Sequence, residues 1–374
     1  MSRYLIACGG TGGHLAPGIA LAEELIGRGH ECCLLISNKQ VDSRLVEKYG
    51  SFRFERLPGV GFSLIPHRAV IFVWEQMRAF GFALRLIKEF NPYVIFGFGG
   101  YTCVAITISG YIRGVPVALH EANRVIGKAI RLVGRLARRV YLPAGVSMGN
   151  SGSGRVRHHG FPVRREIQRV AKSFARKRLG LDPNQKLLLV LGGSQGASAL
   201  NEWVERHLEQ LAQEKIQVYC VTGMGKGEGR VDELQSRSGV TVRSVFVPFS
   251  DRMADLLSSA DLAVTRAGAG TIAELIRCRL PAILIPYPHA ADAHQLVNAR
   301  FFEQQGGGLV VSEDYLDNLF PEIREVAFND WLLRQFQINL ERMDRENTID
   351  QIVHDLDEIG REHEKTCRLN PATA

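Results

Sequence analysis

The chain has 374 residues, room for two or three domains with cores of their own, and its 45% hydrophobic and 23% charged residues suit a globular protein. A formal net charge of +7 admits nucleic acid, an anionic membrane or anionic substrates as partners, and without a zinc-finger spacing or an RNA-binding aromatic signature we expect no nucleic acid. No apolar run approaches the roughly 20 residues that span a bilayer.

In chain order, strands are expected at 3–7, 31–36, 52–57, 93–97, 115–120 and 139–142. They alternate with helices at 14–27, 43–49, 68–90, 102–112 and 125–136. The first strand starts almost at Met1, so we expect no signal peptide, no export and a cytosolic location. The seven cysteines form no C-x-x-C pair or zinc spacing and read as reduced thiols. Continuous apolar strands between amphipathic helices specify a parallel sheet covered on both faces.

After a Gly/Ser-rich stretch at 145–154 the pattern restarts. Strands at 186–191, 217–222, 241–245, 262–265 and 282–285 alternate with helices at 197–213, 252–259, 271–278 and 294–305. Past Asp314 only helix is legible, ending in a loose polar tail from about Lys365. The fold class is α/β, with two Rossmann-like, doubly wound parallel-sheet domains facing an interdomain cleft. The domains expected are 1–162 and 163–340, with 341–374 a helix and tail that packs back on the first.

Two glycine-rich turns follow apolar strands and open helices: Gly9-Gly10-Thr11-Gly12-Gly13-His14 and Gly192-Gly193-Ser194-Gln195-Gly196. Glycine permits a sharp turn and close approach of a ligand, and a helix N-terminus presents N–H groups to an anion. A dinucleotide fingerprint fails because Leu15 stands where the last glycine belongs, and no acidic residue ends the second strand. Gly192 to Gly196 also fits G-x-S-x-G, which leaves open a serine hydrolase with Ser194 as nucleophile and His289 or His294 downstream.

Seven motifs occur in order. The first four are the Gly9–His14 turn, Gly97-Phe98-Gly99-Gly100-Tyr101, His120-Glu121-Ala122-Asn123 and Gly160-Phe161-Pro162-Val163-Arg164. The Gly192–Ala197 turn, Arg266-Ala267-Gly268-Ala269-Gly270-Thr271-Ile272-Ala273-Glu274 and His294-Gln295 through Asn298-Ala299 follow. Across roughly residues 1–310 the chain resembles the MurG family of peptidoglycan N-acetylglucosaminyltransferases, enzymes of the GT-B fold. The resemblance implies inverting transfer of N-acetylglucosamine from UDP-N-acetylglucosamine to the 4-hydroxyl of the muramoyl residue of lipid I, giving lipid II. The second domain would bind the donor and the first the acceptor. Another UDP-sugar enzyme of this fold, an epimerase or a glycolipid synthase, and a non-catalytic UDP-binding module are the rival readings.

By the same resemblance Glu274 holds the uridine ribose, Gln295 the sugar hydroxyls, and Ser250 lies near the uracil. The turn bearing Ser194, Gln195 and Gly196 and the helix start at Ala269, Gly270 and Thr271 serve the donor. Thr271 and Glu274 also fit a capping box, the rival reading of Glu274. Thr11, Gly12 and Gly13 approach the diphosphate from the first domain, Arg164 adds a cation, and Asn123 bonds substrate. His14, at a helix start that disfavours the imidazolium, is the candidate general base, and Glu121 the alternative.

No cofactor and no metal are expected. Asp355-Leu356-Asp357 has a metal-binding D-x-D form, but in a polar helix it reads as a solvated face. From Arg68 to Lys88, aromatic and aliphatic residues alternate with Arg78, Arg85 and Lys88, which fall within about 80° of the helical wheel. Such a segment suits peripheral attachment to an anionic surface on the cytoplasmic face of the membrane, where a polyprenyl-linked acceptor resides.

Overall fold

A computed structural model describes the chain except residues 10–11, 38–44, 59–65, 150–153, 194–195, 346–348 and 370–374, and at 12, 66–73 and 367–369 only the backbone. Two compact units result: residues 1–164 with 347–374, and residues 165–346.

In the first unit, strands β1 (Arg3–Ala7), β2 (Glu31–Ile36), β3 (Arg53–Arg56), β4 (Val94–Gly97), β5 (Val117–His120), β6 (Arg139–Tyr141) and β7 (Val156–Arg157) form one sheet. Its order is β3-β2-β1-β4-β5-β6-β7, and every pairing is parallel. Alternation along β1 divides the core. Tyr4 and Ile6 pack with Leu15 and Ile19 of α1 (Gly12–Gly27), whereas Leu5 and Ala7 face Ala83, Leu86 and Ile87 of α2 (Pro66–Phe90) and Ile106 of α3 (Gly100–Ile112). Helix α2 runs unbroken through Gly81. A short helix, α4 (Lys128–Val133), starts three residues later than the sequence suggests, for a reason given below.

The second unit repeats the plan with β8 (Lys186–Leu191), β9 (Ile216–Val221), β10 (Arg230–Gln235), β11 (Thr241–Val247), β12 (Leu262–Thr265), β13 (Ala282–Leu284) and β14 (Gly308–Val310). The order is β10-β11-β9-β8-β12-β13-β14; β10 pairs antiparallel with β11, so the sheet is parallel apart from this edge strand. The helices are α5 (Lys172–Leu179), α6 (Ser198–Gln213), α7 (Met253–Ser259), α8 (Ala269–Cys278), α9 (His294–Gln304), α10 (Leu319–Ala327) and α11 (Asp330–Arg345). Leu188 and Val190 pack against Leu200, Trp203 and Val204 of α6, the strand–helix contact that seats the second glycine turn.

Helix α12 (Ile349–Leu369) belongs to the first unit, where Ile352, Val353, Leu356 and Ile359 join the Tyr4–Ile6 core. The solvated face expected for Asp355 and Asp357 is overturned. Asp355 is 6% exposed and accepts from Arg139 Nε at 3.0 Å and the Tyr141 hydroxyl at 2.9 Å. Asp357 accepts from the Tyr4 hydroxyl. Their partners lie more than 200 residues earlier, so no local pattern announces them. Among the described residues no three or more His, Cys, Asp or Glu side chains are grouped to hold a metal ion, and these two carboxylates fasten a helix to a sheet. Six described cysteines are buried, and burial pushes the thiols of Cys32, Cys33, Cys103, Cys220 and Cys278 up to about 12.

Candidate functional site

In each unit the strand order reverses direction between two neighbouring strands, β1/β4 and β8/β12. Ligands of such sheets bind beyond the strand ends at that switch. The glycine motifs follow these four strands.

Beyond β1 and β4, Gly12, Gly13 and His14 form the first residues of α1, and Thr11 lies outside the described residues. The Gly9 carbonyl accepts from the buried Thr102 hydroxyl at 3.0 Å, tying the first turn to the start of α3. The half-buried His14 ring lies against Gly99 and Gly100; a Cβ at Gly100 would sit 3.3 Å from its Nδ1. Gly100 has φ +72°, a conformation that glycine adopts without penalty.

Beyond β5, the Glu121 N–H donates to the Tyr141 carbonyl at 2.9 Å. Glu121 is 6% exposed, and both of its carboxylate oxygens accept hydrogen bonds. Oε1 accepts from the Asn123 backbone at 2.9 Å and its Nδ2 at 3.2 Å, and Oε2 accepts from the Gly127 N–H at 2.7 Å. This loop delays α4, since Asn123 and Gly127 bond to a carboxylate instead of to a helical turn. Asn123 and Arg164 are both half-buried, and Arg164 ends the first of the two segments of its unit.

His120 carries no role read from the sequence, yet burial perturbs it strongly. Its Nε2 lies 3.3 Å from the Gly160 carbonyl, which can only accept, so Nε2 carries the hydrogen. Its Nδ1 is buried and has no hydrogen-bond partner among the described residues. Burial holds its pKa down at about 4, so the ring is neutral and links the 120–123 motif to the 160–164 motif. A histidine ending an apolar strand was the available signal.

In the second unit, Gly196 has φ +67°, and a Cβ there would lie 2.4 Å from the Thr222 carbonyl. The turn before α6 therefore admits glycine alone; Ser194 and Gln195 lie outside the described residues. Ser250 accepts from the Arg252 N–H at 3.2 Å, a local bond ahead of α7. Helix α8 begins at Ala269, Gly270 and Thr271, with extended Gly268 as its N-cap and no side-chain cap. The capping box that was the rival reading of Thr271 and Glu274 is thus overturned: the helix starts two residues earlier, placing Thr271 within its first turn. Glu274 is half-buried one turn further on.

Gln295, in the first turn of α9, accepts from the Tyr287 N–H at 2.9 Å, and Asn298 donates to the Ala267 carbonyl at 3.2 Å. His294 contacts the Ala291 carbonyl at 2.7 Å. Asp292 and Ala293, at φ 52° and 51°, carry backbone strain beside Gln295. Arg266, unassigned from sequence, is 8% exposed. It donates to the Ile285 carbonyl at 3.3 Å, pairs with Glu313, and lies over the Tyr287 ring at 5.4 Å. A cation closing a buried strand before two glycines was its signal.

Each unit therefore presents helix N-termini at its switch point, suited to anionic groups, with one imidazole in the first and one carboxylate in the second.

Two family models match the chain, the glycosyltransferase family 28 N-terminal domain over residues 4–142 and the family 28 C-terminal domain over residues 187–352. A curated relative from Opitutus terrae is 52% identical over 374 residues, covering 100% of this chain and 99% of its own. It is named UDP-N-acetylglucosamine--N-acetylmuramyl-(pentapeptide) pyrophosphoryl-undecaprenol N-acetylglucosamine transferase. A relative of the same name from Caldanaerobacter subterraneus is 31% identical over 354 residues, covering 92% of this chain and 96% of its own. Among solved structures, MurG of Acinetobacter baumannii superposes with a TM-score of 0.70 at 24% identity, covering 96% of this chain and all of that one. The calicheamicin glycosyltransferase CalG4 gives 0.66 at 13% identity over 98% and 99% of the two chains. The fold is GT-B.

Proposed function

The chain belongs to glycosyltransferase family 28, and from this we infer that it transfers N-acetylglucosamine from UDP-N-acetylglucosamine to lipid I, yielding lipid II in peptidoglycan synthesis. The observation that carries this reading is the 52% identity, end to end, with the relative from Opitutus terrae.

The donor belongs to the second unit in this proposal. Glu274 accepts hydrogen bonds from the ribose hydroxyls, and Gln295 holds the sugar. The backbone near Ser250 borders the uracil. The N–H groups of the 192–196 turn, with Ser194 and Gln195, and those of Ala269, Gly270 and Thr271 surround the diphosphate. As the bond from the sugar C1 to the phosphate oxygen breaks, negative charge grows on UDP, and preorganised N–H donors stabilise it. Arg164 adds a cation. These donors supply the charge stabilisation without a metal ion.

The acceptor belongs to the first unit in this proposal, and Thr11, Gly12 and Gly13 of that unit add donors to the UDP diphosphate. His14 takes the proton of the muramoyl 4-hydroxyl while that oxygen bonds to C1 from the face opposite UDP, inverting the anomeric centre. Glu121 is the weaker candidate for the base, since both its oxygens already accept N–H bonds. Its work is to present Asn123.

Peripheral attachment to the cytoplasmic face of the membrane is proposed through α2. Trp74 (54% exposed) and Met77 (64% exposed) share its outer face with Arg78, Arg85 and Lys88, while the opposite face enters the core. Among the described residues no helix is long and apolar enough to cross a membrane.

Incubation with labelled UDP-N-acetylglucosamine and a short-chain lipid I analogue, in excess EDTA, tests the reading. Label entering the organic phase is expected. Label that stays in water with magnesium restored overturns the transfer, and activity only with magnesium overturns the metal-free mechanism.

A further inference from the structure

Helix α12 is already docked by Ile352, Val353, Leu356 and Ile359. Its buried Asp355 therefore calls for a reason beyond adhesion, because buried ion pairs often add little stability over apolar packing. Arg139 and Tyr141, which it grips, stand two apart on β6 and so share a face. Tyr141 is fully buried, ring-stacked on Phe96 at 5.7 Å, and lies opposite His120 in the β5–β6 register.

A continuous series of bonds leads on from there. Asp355 fixes the Tyr141 hydroxyl at 2.9 Å, and the Tyr141 carbonyl receives the Glu121 N–H at 2.9 Å. The Glu121 carboxylate in turn gathers the Asn123 and Gly127 amides. The end of β6 thus sets where the 121–127 loop begins, and a carboxylate on a distant helix sets the end of β6.

We propose that Asp355 is a positioning residue for acceptor recognition, acting through Tyr141 and Glu121 to hold Asn123 where the acceptor meets it. This rests on the reading that the first unit binds the acceptor.

Tyr141→Phe removes one hydroxyl and keeps the ring. Loss of one hydrogen bond in such a relay should raise the acceptor KM about three- to ten-fold. The donor KM and the kcat at saturating acceptor should change less than about two-fold on the same scale. Asp355→Asn, which retains an acceptor for the hydroxyl, should restore part of the loss relative to Asp355→Ala. Combining Tyr141→Phe with Asn123→Ala should give less than the product of the single effects. Hydrogen exchange at the Asn123 and Gly127 amides should quicken in Tyr141→Phe, a readout that does not require turnover. Equal changes in both KM values, independent effects in the double variant, or unaltered exchange would overturn the proposal. If Asn123→Ala alone leaves the acceptor KM unchanged, the acceptor-site reading fails instead.

Discussion

The His14 imidazole rests on Gly100, where even a methyl group would come within 3.3 Å of Nδ1 and Cε1 and 3.2 Å of the Gly9 carbonyl. The half-buried ring is thus backed by the Gly99–Gly100 turn. Replacing His14 with Ala should lower turnover by about 10²- to 10⁴-fold, the range for a lost general base. Calorimetric affinity for UDP should stay within about two-fold, as this removes transition-state interaction only. Near-normal turnover would exclude His14 as the base.

Glu274→Ala bears on the opposite substrate. A carboxylate that accepts ribose hydroxyls contributes about 1.5–3 kcal/mol, so the UDP dissociation constant should rise roughly 10- to 100-fold. An unchanged constant in calorimetry would take Glu274 out of the site.

Stability should depend on pH through His120. Its pKa of about 4 in the folded chain lies below the ordinary 6.5, so on acidification the unfolded chain binds the proton first. The stabilisation present above pH 6.5 is therefore lost progressively toward pH 4, on the order of 3 kcal/mol in all. Gln at this position keeps a donor for the Gly160 carbonyl without titrating. Denaturant midpoints of His120→Gln should fall less steeply over that range than those of the parent; parallel slopes would contradict the assignment.

On α2, Arg78 lies over the Trp74 ring at 4.7 Å and pairs with Glu75 at 2.8 Å, which braces the exposed indole. Reversing Arg85 to Glu should weaken binding to vesicles containing anionic lipid at least about five-fold, from roughly 1 kcal/mol per cation near such a surface. Trp74→Ser should weaken it independently of salt. Equal flotation of parent and variants would remove this face from any membrane role.

Much of the fold was legible because the signals are local. Strands β1, β2, β8 and β12 match their expected bounds, since each is a short apolar run stopped by glycine or a polar turn. Strand β10 escaped because Arg230-Val-Asp-Glu-Leu-Gln is an edge strand with charged side chains in solvent, and it carries no apolar run. The site was legible as far as its glycine turns and helix starts. What escaped depends on partners remote in the chain: Asp355 looks solvated until Arg139 and Tyr141 are placed beneath it. Thr271-x-x-Glu274 has the form of a capping box without being one, since the pattern is indifferent to whether Gly268 has already begun the helix.

The return of α12 to the first unit constrains the order of biosynthesis. Residues 165–346 are contiguous and can close their core as they leave the ribosome. The earlier-made sheet must wait with one apolar flank bare until residues 349–369 emerge, because Ile352, Val353, Leu356 and Ile359 cover it. A stop codon just after the second unit would therefore damage the oldest part of the nascent chain more than the newest.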